Sequence, residues 1–153
     1  MIKTLSLSAC AAALLFAATS AMAAPTDDAE THFRAIGNGD LSVVMRAYAD
    51  VAQLNWVGGP LDGTYASADA IRSIWEKFTQ SQGPLKVSIS KLEESANPKG
   101  ATVSANVVFE GKAPIKVRYV LTIREGKIVN ETWQIDPKMV TAMAAPAPAA
   151  ASY

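Results

Sequence analysis

Cysteine is nearly absent from this chain: its single copy, Cys10, lies among the first 23 residues. A protein that keeps only residues 24–153 has no disulfide, no thiol nucleophile and no thiolate ligand for a metal. Histidine is as scarce. His32 stands alone, with no paired carboxylates at ligand spacing around it, so neither a metal nor another cofactor is expected. No serine or threonine motif points to that histidine, which leaves covalent catalysis without support. Charge of one sign is lacking too. Lys and Arg number 14 against 14 Asp and Glu, and loss of Lys3 with the first 23 residues leaves a net charge of −1. Without a basic excess there is no electrostatic footprint for nucleic acid or anionic lipid. After residue 23 no apolar run approaches the roughly 18 residues that suggest a membrane span. Internal repeats are also missing.

The two ends carry little fold information. Lys3 begins a positive start, Leu5 to Ala18 is apolar apart from small residues, and Ala21-Met22-Ala23 is a small-x-small cleavage site. Residues 1–23 are read as a secretory signal peptide, and the product as periplasmic or secreted, with no membrane attachment after cleavage. Leu7-Ser8-Ala9-Cys10 imitates a lipoprotein box, but the apolar run follows Cys10 instead of preceding it. Residues 138–153 are rich in Ala and Pro and read as a disordered tail. One domain, residues 24–137, remains.

The most regular stretch of that domain is Ala113 to Asp136. Ile115, Val117, Tyr119, Leu121 and Ile123 alternate with Lys116, Arg118, Val120, Thr122 and Arg124, the period of a strand with one apolar face. Glu125-Gly126 supplies a tight turn. In the return strand Val129, Glu131, Trp133 and Ile135 share a face. If that face is the core, Glu131 is carried inward and must find a partner, meet water in a cavity, or hold a proton; the alternative is a wet strand edge or a nearby Arg.

Upstream the period is helical. Ala29, His32, Phe33 and Ile36 share one face of a helix over Asp27–Asn38, and Asp40 is placed to cap a second from Leu41 to about Tyr48. Val51–Val57 reads as a short strand, closed by Gly58-Gly59-Pro60. Ile71, Ile74, Trp75 and Phe78 predict a third helix, capped by Ser67 and stopped at Gly83-Pro84. From Leu85 the period is two, with turns at Asn97–Gly100 and Glu110-Gly111. Helices followed by an antiparallel meander predict an α+β domain, a curved, mostly antiparallel sheet with three N-terminal helices on one face.

That order, with Gly39-Asp40-Leu41, Met45–Asp50, Gly63 ahead of Ala68-Asp69-Ala70-Ile71, and Gly126-Lys127-Ile128 followed by Trp133 and Asp136, resembles the nuclear transport factor 2-like superfamily, cystatin-like in fold, which includes SnoaL-like polyketide cyclases and ketosteroid isomerases. The resemblance implies a cone whose sheet wraps the third helix, an apolar pocket lined by His32, Tyr48, Trp56, Trp75, Phe78, Tyr119, Glu131 and Trp133, and a homodimer through the outer sheet face. It also implies a departure. The position of the isomerases' catalytic base falls on Trp56, their helix tyrosine on His32 and their late aspartate on Tyr119, so isomerisation by that base is not expected. Because one fold hosts many functions, three readings stay open. The first is a binding module for a small, largely apolar molecule, with Tyr48, Trp56, Trp75, Phe78 and Trp133 at the ligand. The second is an isomerase, lyase or cyclase that moves protons with Glu131 and His32 or Tyr119. The third is a dimeric interaction protein whose cone is filled by its own side chains.

Overall fold

A computed structural model describes residues 22–141. The expected signal peptide falls almost wholly outside the described residues. Of the expected tail, Lys138–Thr141 are described, and Met139 is buried with 2% of its surface exposed.

Three helices precede most of the sheet: α1 (Pro25–Asn38), α2 (Leu41–Arg46) and α3 (Ala68–Gln82). Asp40 accepts from Val43 N at 3.1 Å and Ser67 from Ala70 N at 3.1 Å, so both expected N-caps close the first turns of α2 and α3. The strands are β1 (Tyr48–Val57), β2 (Gly63–Tyr65), β3 (Lys86–Asn97), β4 (Gly100–Glu110), β5 (Pro114–Arg124) and β6 (Lys127–Ile135). They form one six-stranded sheet in the order β2-β1-β6-β5-β4-β3, antiparallel throughout except where β1 runs parallel to β6.

The β5–β6 hairpin turns through two residues, Glu125 and Gly126, at φ 51° and 71°. Two successive positive φ values give a hairpin loop the twist of its strands, and Gly126 adopts this without strain. At Gly37 the need is space. A Cβ there would stand 2.3 Å from Val87 Cγ2 and 2.9 Å from Leu85 O, while Leu85 N donates to Gly37 O at 2.8 Å. Only glycine lets α1 lie this close to the start of β3.

Two boundaries differ from the periodic reading. Tyr48 does not end α2. It opens β1, paired with Ile128 of β6, and an irregularity between Tyr48 and Gln53 leaves Asp50 and Val51 outside. In β6 the inward residues are Ile128, Glu131 and Trp133. A shift of register after Thr122 pairs Ile123 with Ile128 but Thr122 with Asn130, so Val129 is the extra residue of a bulge. Such a residue displaces the alternation by one, which puts Ile128 and not Val129 in the core.

The interior of the curved sheet is packed with rings. Trp133, fully buried, is stacked between Trp56 (centroids 4.3 Å apart) and Phe109 (5.1 Å), and meets Trp75, Phe78 and Tyr119 edge-on at 5.5, 5.1 and 5.3 Å. Stacked and edge-to-face pairs at these separations are the favoured geometries of aromatic rings.

Candidate functional site

Two regions merit a chemical reading, and they are different places. One is a buried polar cluster. Glu131, carried inward by the alternation of β6, is fully buried, and one of its oxygens, Oε2, serves two elements at once. His32 Nε2 of α1 lies 3.1 Å from it, and the hydroxyl of Tyr48, at the start of β1, donates to it. That hydroxyl in turn accepts from Trp75 Nε1 of α3 at 2.9 Å. A chain from indole to phenol to carboxylate to imidazole therefore ties three elements to β6. Of the outcomes open to an inward Glu131, the structure gives the first, a partner, twice over.

The cluster is not fully satisfied. Glu131 Oε1, His32 Nδ1 and the Tyr119 hydroxyl are buried without a hydrogen-bond partner among the described residues, as are Trp56 Nε1 and Trp133 Nε1. The Tyr119 hydroxyl is near enough to Glu131 for the carboxylate's charge to act on it, although no hydrogen bond closes between them. Burial first, and then that charge, push both Tyr48 and Tyr119 well above the ordinary tyrosine range. Both phenols are thus held neutral, as donors. Because the fold favours their neutral form, the stability they contribute is present below about pH 10 and lost above it, as phenols of the unfolded chain ionise. In an alkaline titration followed by ultraviolet absorbance, Tyr48 and Tyr119 are expected to ionise only as the protein unfolds. Reversible ionisation of every tyrosine with the far-ultraviolet circular dichroism unchanged would contradict this.

The second region is a pocket of about 720 Å³. Its walls come from the end of β1 and the following loop (Trp56, Pro60, Leu61), the second half of α3 (Lys77, Phe78, Ser81, Gln82), the start of β5 (Pro114, Ile115, Lys116) and the end of β6 (Ile135, Pro137). Of the eight residues expected to line a pocket, Trp56 and Phe78 do so here. His32, Tyr48, Glu131 and Tyr119 do not. Trp75 separates the two regions, edge-on to His32 at 6.3 Å and tilted against Trp56 at 5.4 Å, and Trp133 fills the space beside it. The interior of the cone is thus occupied by its own side chains, and the open volume lies beside them. Sequence periodicity gave no sign of Leu61, Ile115 and Ile135 as a shared wall. Ile115 and Ile135 fall on apolar strand faces, but only the tertiary arrangement sets them beside Leu61, close to the chain reversals at Gly58-Gly59-Pro60 and Glu110-Gly111.

A smaller cavity of about 300 Å³ lies between α1, α2 and the β5–β6 turn, bordered by Asp28, His32, Arg46 and Lys127. Among the described residues, no three His, Cys, Asp or Glu side chains come together as a metal's donor set would. No helix among them is long and apolar enough to cross a membrane.

Comparison with known proteins agrees with the geometry of the fold. The family model of the SnoaL-like domain matches residues 29–131. Among solved structures the chain is similar to a nuclear transport factor 2-like protein of unknown function from Pseudomonas putida, with TM-score 0.62 and 17% identity, covering 76% of this chain and 89% of that one. It is similar to a protein of unknown function with a cystatin-like fold from Nostoc punctiforme, with TM-score 0.59 and 12% identity over 74% and 89%. A third likeness is to an LEH-like epoxide hydrolase from Mycobacterium tuberculosis, with TM-score 0.55 and 16% identity over 72% and 81%. At these identities the likeness is one of fold. No curated protein matches the sequence.

Proposed function

From the premise that the chain belongs to the SnoaL-like domain family, we propose that it is an exported binding module that takes a small, largely apolar molecule into the pocket between α3, the end of β1 and the start of β5. The observation that carries this reading is the pocket itself. Its volume of about 720 Å³ falls within the range that encloses small ligands, and its walls are mainly Trp56, Leu61, Phe78, Ile115, Ile135 and three prolines. Export rests on the pattern of residues 1–23. A homodimer would use the outer sheet face, where Val120 is exposed beside partly buried Thr122 and Thr132.

The acid–base reading draws on the convergence of His32 and Tyr48 on Glu131. It is the weaker one, because none of these side chains borders the pocket. The cluster is better read as the polar tie that fixes α1 and α3 to the sheet.

Calorimetric titration with decanol, an uncharged apolar probe, tests the binding reading. Saturable binding to one site per chain is expected. Ile115→Phe, which fills the pocket from the β5 wall, is expected to weaken it by about tenfold or more, the equivalent of roughly 1.4 kcal/mol. Absence of binding, or equal binding by the variant, would sink the proposal.

A further inference from the structure

We infer that the molecule taken by this pocket is an apolar acid, whose carboxylate lies at the rim where Lys77 of α3 and Lys116 of β5 border the cavity. The inference rests on the binding reading above and narrows it to a chemical class.

Every charged side chain that borders the pocket is a cation, and the remaining polar groups are Ser81, Gln82 and the indole of Trp56. No carboxylate belongs to the walls. Three acids adjoin wall residues in sequence without belonging to the walls themselves: Asp62, whose Oδ1 accepts from Gly58 N at 2.6 Å, Glu76 beside Lys77, and Asp136, where Arg118 Nε lies 2.5 Å from Oδ2 and Lys138 N donates to Oδ1 at 3.1 Å. That hydrogen bond from Arg118 holds the Asp136 carboxyl below the usual carboxylate range, and the guanidinium offsets its charge at the rim. The charges that border the cavity itself are the two ammonium groups.

Lys116 is the better placed of the two. It is half-buried, and its Nζ donates to Met139 O at 3.1 Å, which fixes the amine at the pocket's edge. An ammonium group has three donors, so two remain for a ligand. A pocket with apolar walls and only donors or amphoteric groups among its polar atoms suits a ligand whose polar end only accepts. A carboxylate meets that need, and beside apolar walls its attraction to an ammonium is screened less than in open water.

The test is a matched set of probes with one skeleton: decanoate, decanol and decylamine, titrated into the full mature chain by calorimetry at low and at high salt. A fatty alcohol leaves water for apolar surroundings more readily than its carboxylate does, so tighter binding of the acid requires a specific partner. Decanoate is expected to bind about five- to tenfold more tightly than decanol, as a part-buried ion pair allows, and decylamine most weakly. The advantage of the acid should shrink at high salt. In Lys116→Met the ratio of decanoate to decanol affinity, measured in the same variant, should fall to one or below, and in Lys77→Met it should be reduced. If decanol and decanoate bind equally, or decanol more tightly, the acid inference is overturned while the apolar pocket stands. If none of the three binds, the pocket reading has itself failed, and this inference falls with it.

Discussion

Replacing Glu131 by leucine is expected to lower the free energy of unfolding by about 3–5 kcal/mol, because it strips a buried network of its central acceptor. His32 Nε2 and the Tyr48 hydroxyl both address Glu131 Oε2, and both side chains are buried. Without the carboxylate each keeps the loss of its hydration and gains nothing in return. Tyr48 would retain only the bond it accepts from Trp75 Nε1. The triple variant Glu131→Leu, His32→Leu, Tyr48→Phe is expected to recover most of that loss, since a whole buried polar set exchanged for apolar side chains of similar volume is often neutral or better. Its affinity for decanol should equal that of the wild type, because none of the three borders the pocket. Urea unfolding measures the first two quantities and calorimetry the third. A single-variant loss under about 1 kcal/mol would mean that the carboxylate is not committed to these partners. A stable triple variant that no longer binds would join the cluster to the binding site and revive the acid–base reading.

Trp133→Ala is expected to be as severe, about 3–5 kcal/mol, the usual range for truncating a large buried aromatic. The upper half of that range is favoured by its surroundings. The indole is stacked on both faces, by Trp56 and Phe109, and bordered edge-on by Trp75, Phe78 and Tyr119. These five rings come from three strands and a helix, and cannot all collapse into the space left behind. In thermal unfolding a loss of that size lowers the midpoint of a domain this long by roughly 10–20 °C. Trp133→Phe should cost much less, since a ring still fills most of the volume. A drop below about 1 kcal/mol for the alanine variant would mean that the aromatic interior is not packed as described.

The strand and helix faces were readable because periodicity fixes which side chains share a side, whatever they later meet. The alternation of β6 puts Glu131 on one face with Trp133 and leaves open whether that face is the core or a wet edge, which the fold resolves as the core; the spacing of Ile71, Ile74, Trp75 and Phe78 gives the buried face of α3. The partners of Glu131 were not readable. His32 is 99 residues away and Tyr48 is 83, and only the tertiary arrangement brings them to one oxygen atom. Tyr48 fitted the helical spacing of Leu41, Val44 and Met45, yet pairing with Ile128 of β6 draws it into a strand. Val129 fitted the inward face until the bulge moved Ile128 into its place.

The pocket was the hardest feature to foresee. The resemblance placed it inside the cone, but whether a cone is hollow depends on the summed volume of side chains from different elements. Here Trp56, Trp75, Phe109 and Trp133 meet and fill the interior, and the open volume is displaced toward chain reversals whose prolines and short strand ends carry no periodic signal.

The central claim, that this pocket holds a small apolar molecule, is tested most directly by native mass spectrometry of the protein expressed from its full sequence and purified without detergent. The account predicts a mass excess of a few hundred daltons per chain, absent from the Ile115→Phe variant, and the same spectrum counts the copies in the assembly. A bare chain mass that stays bare after incubation with excess decanol and decanoate would contradict it.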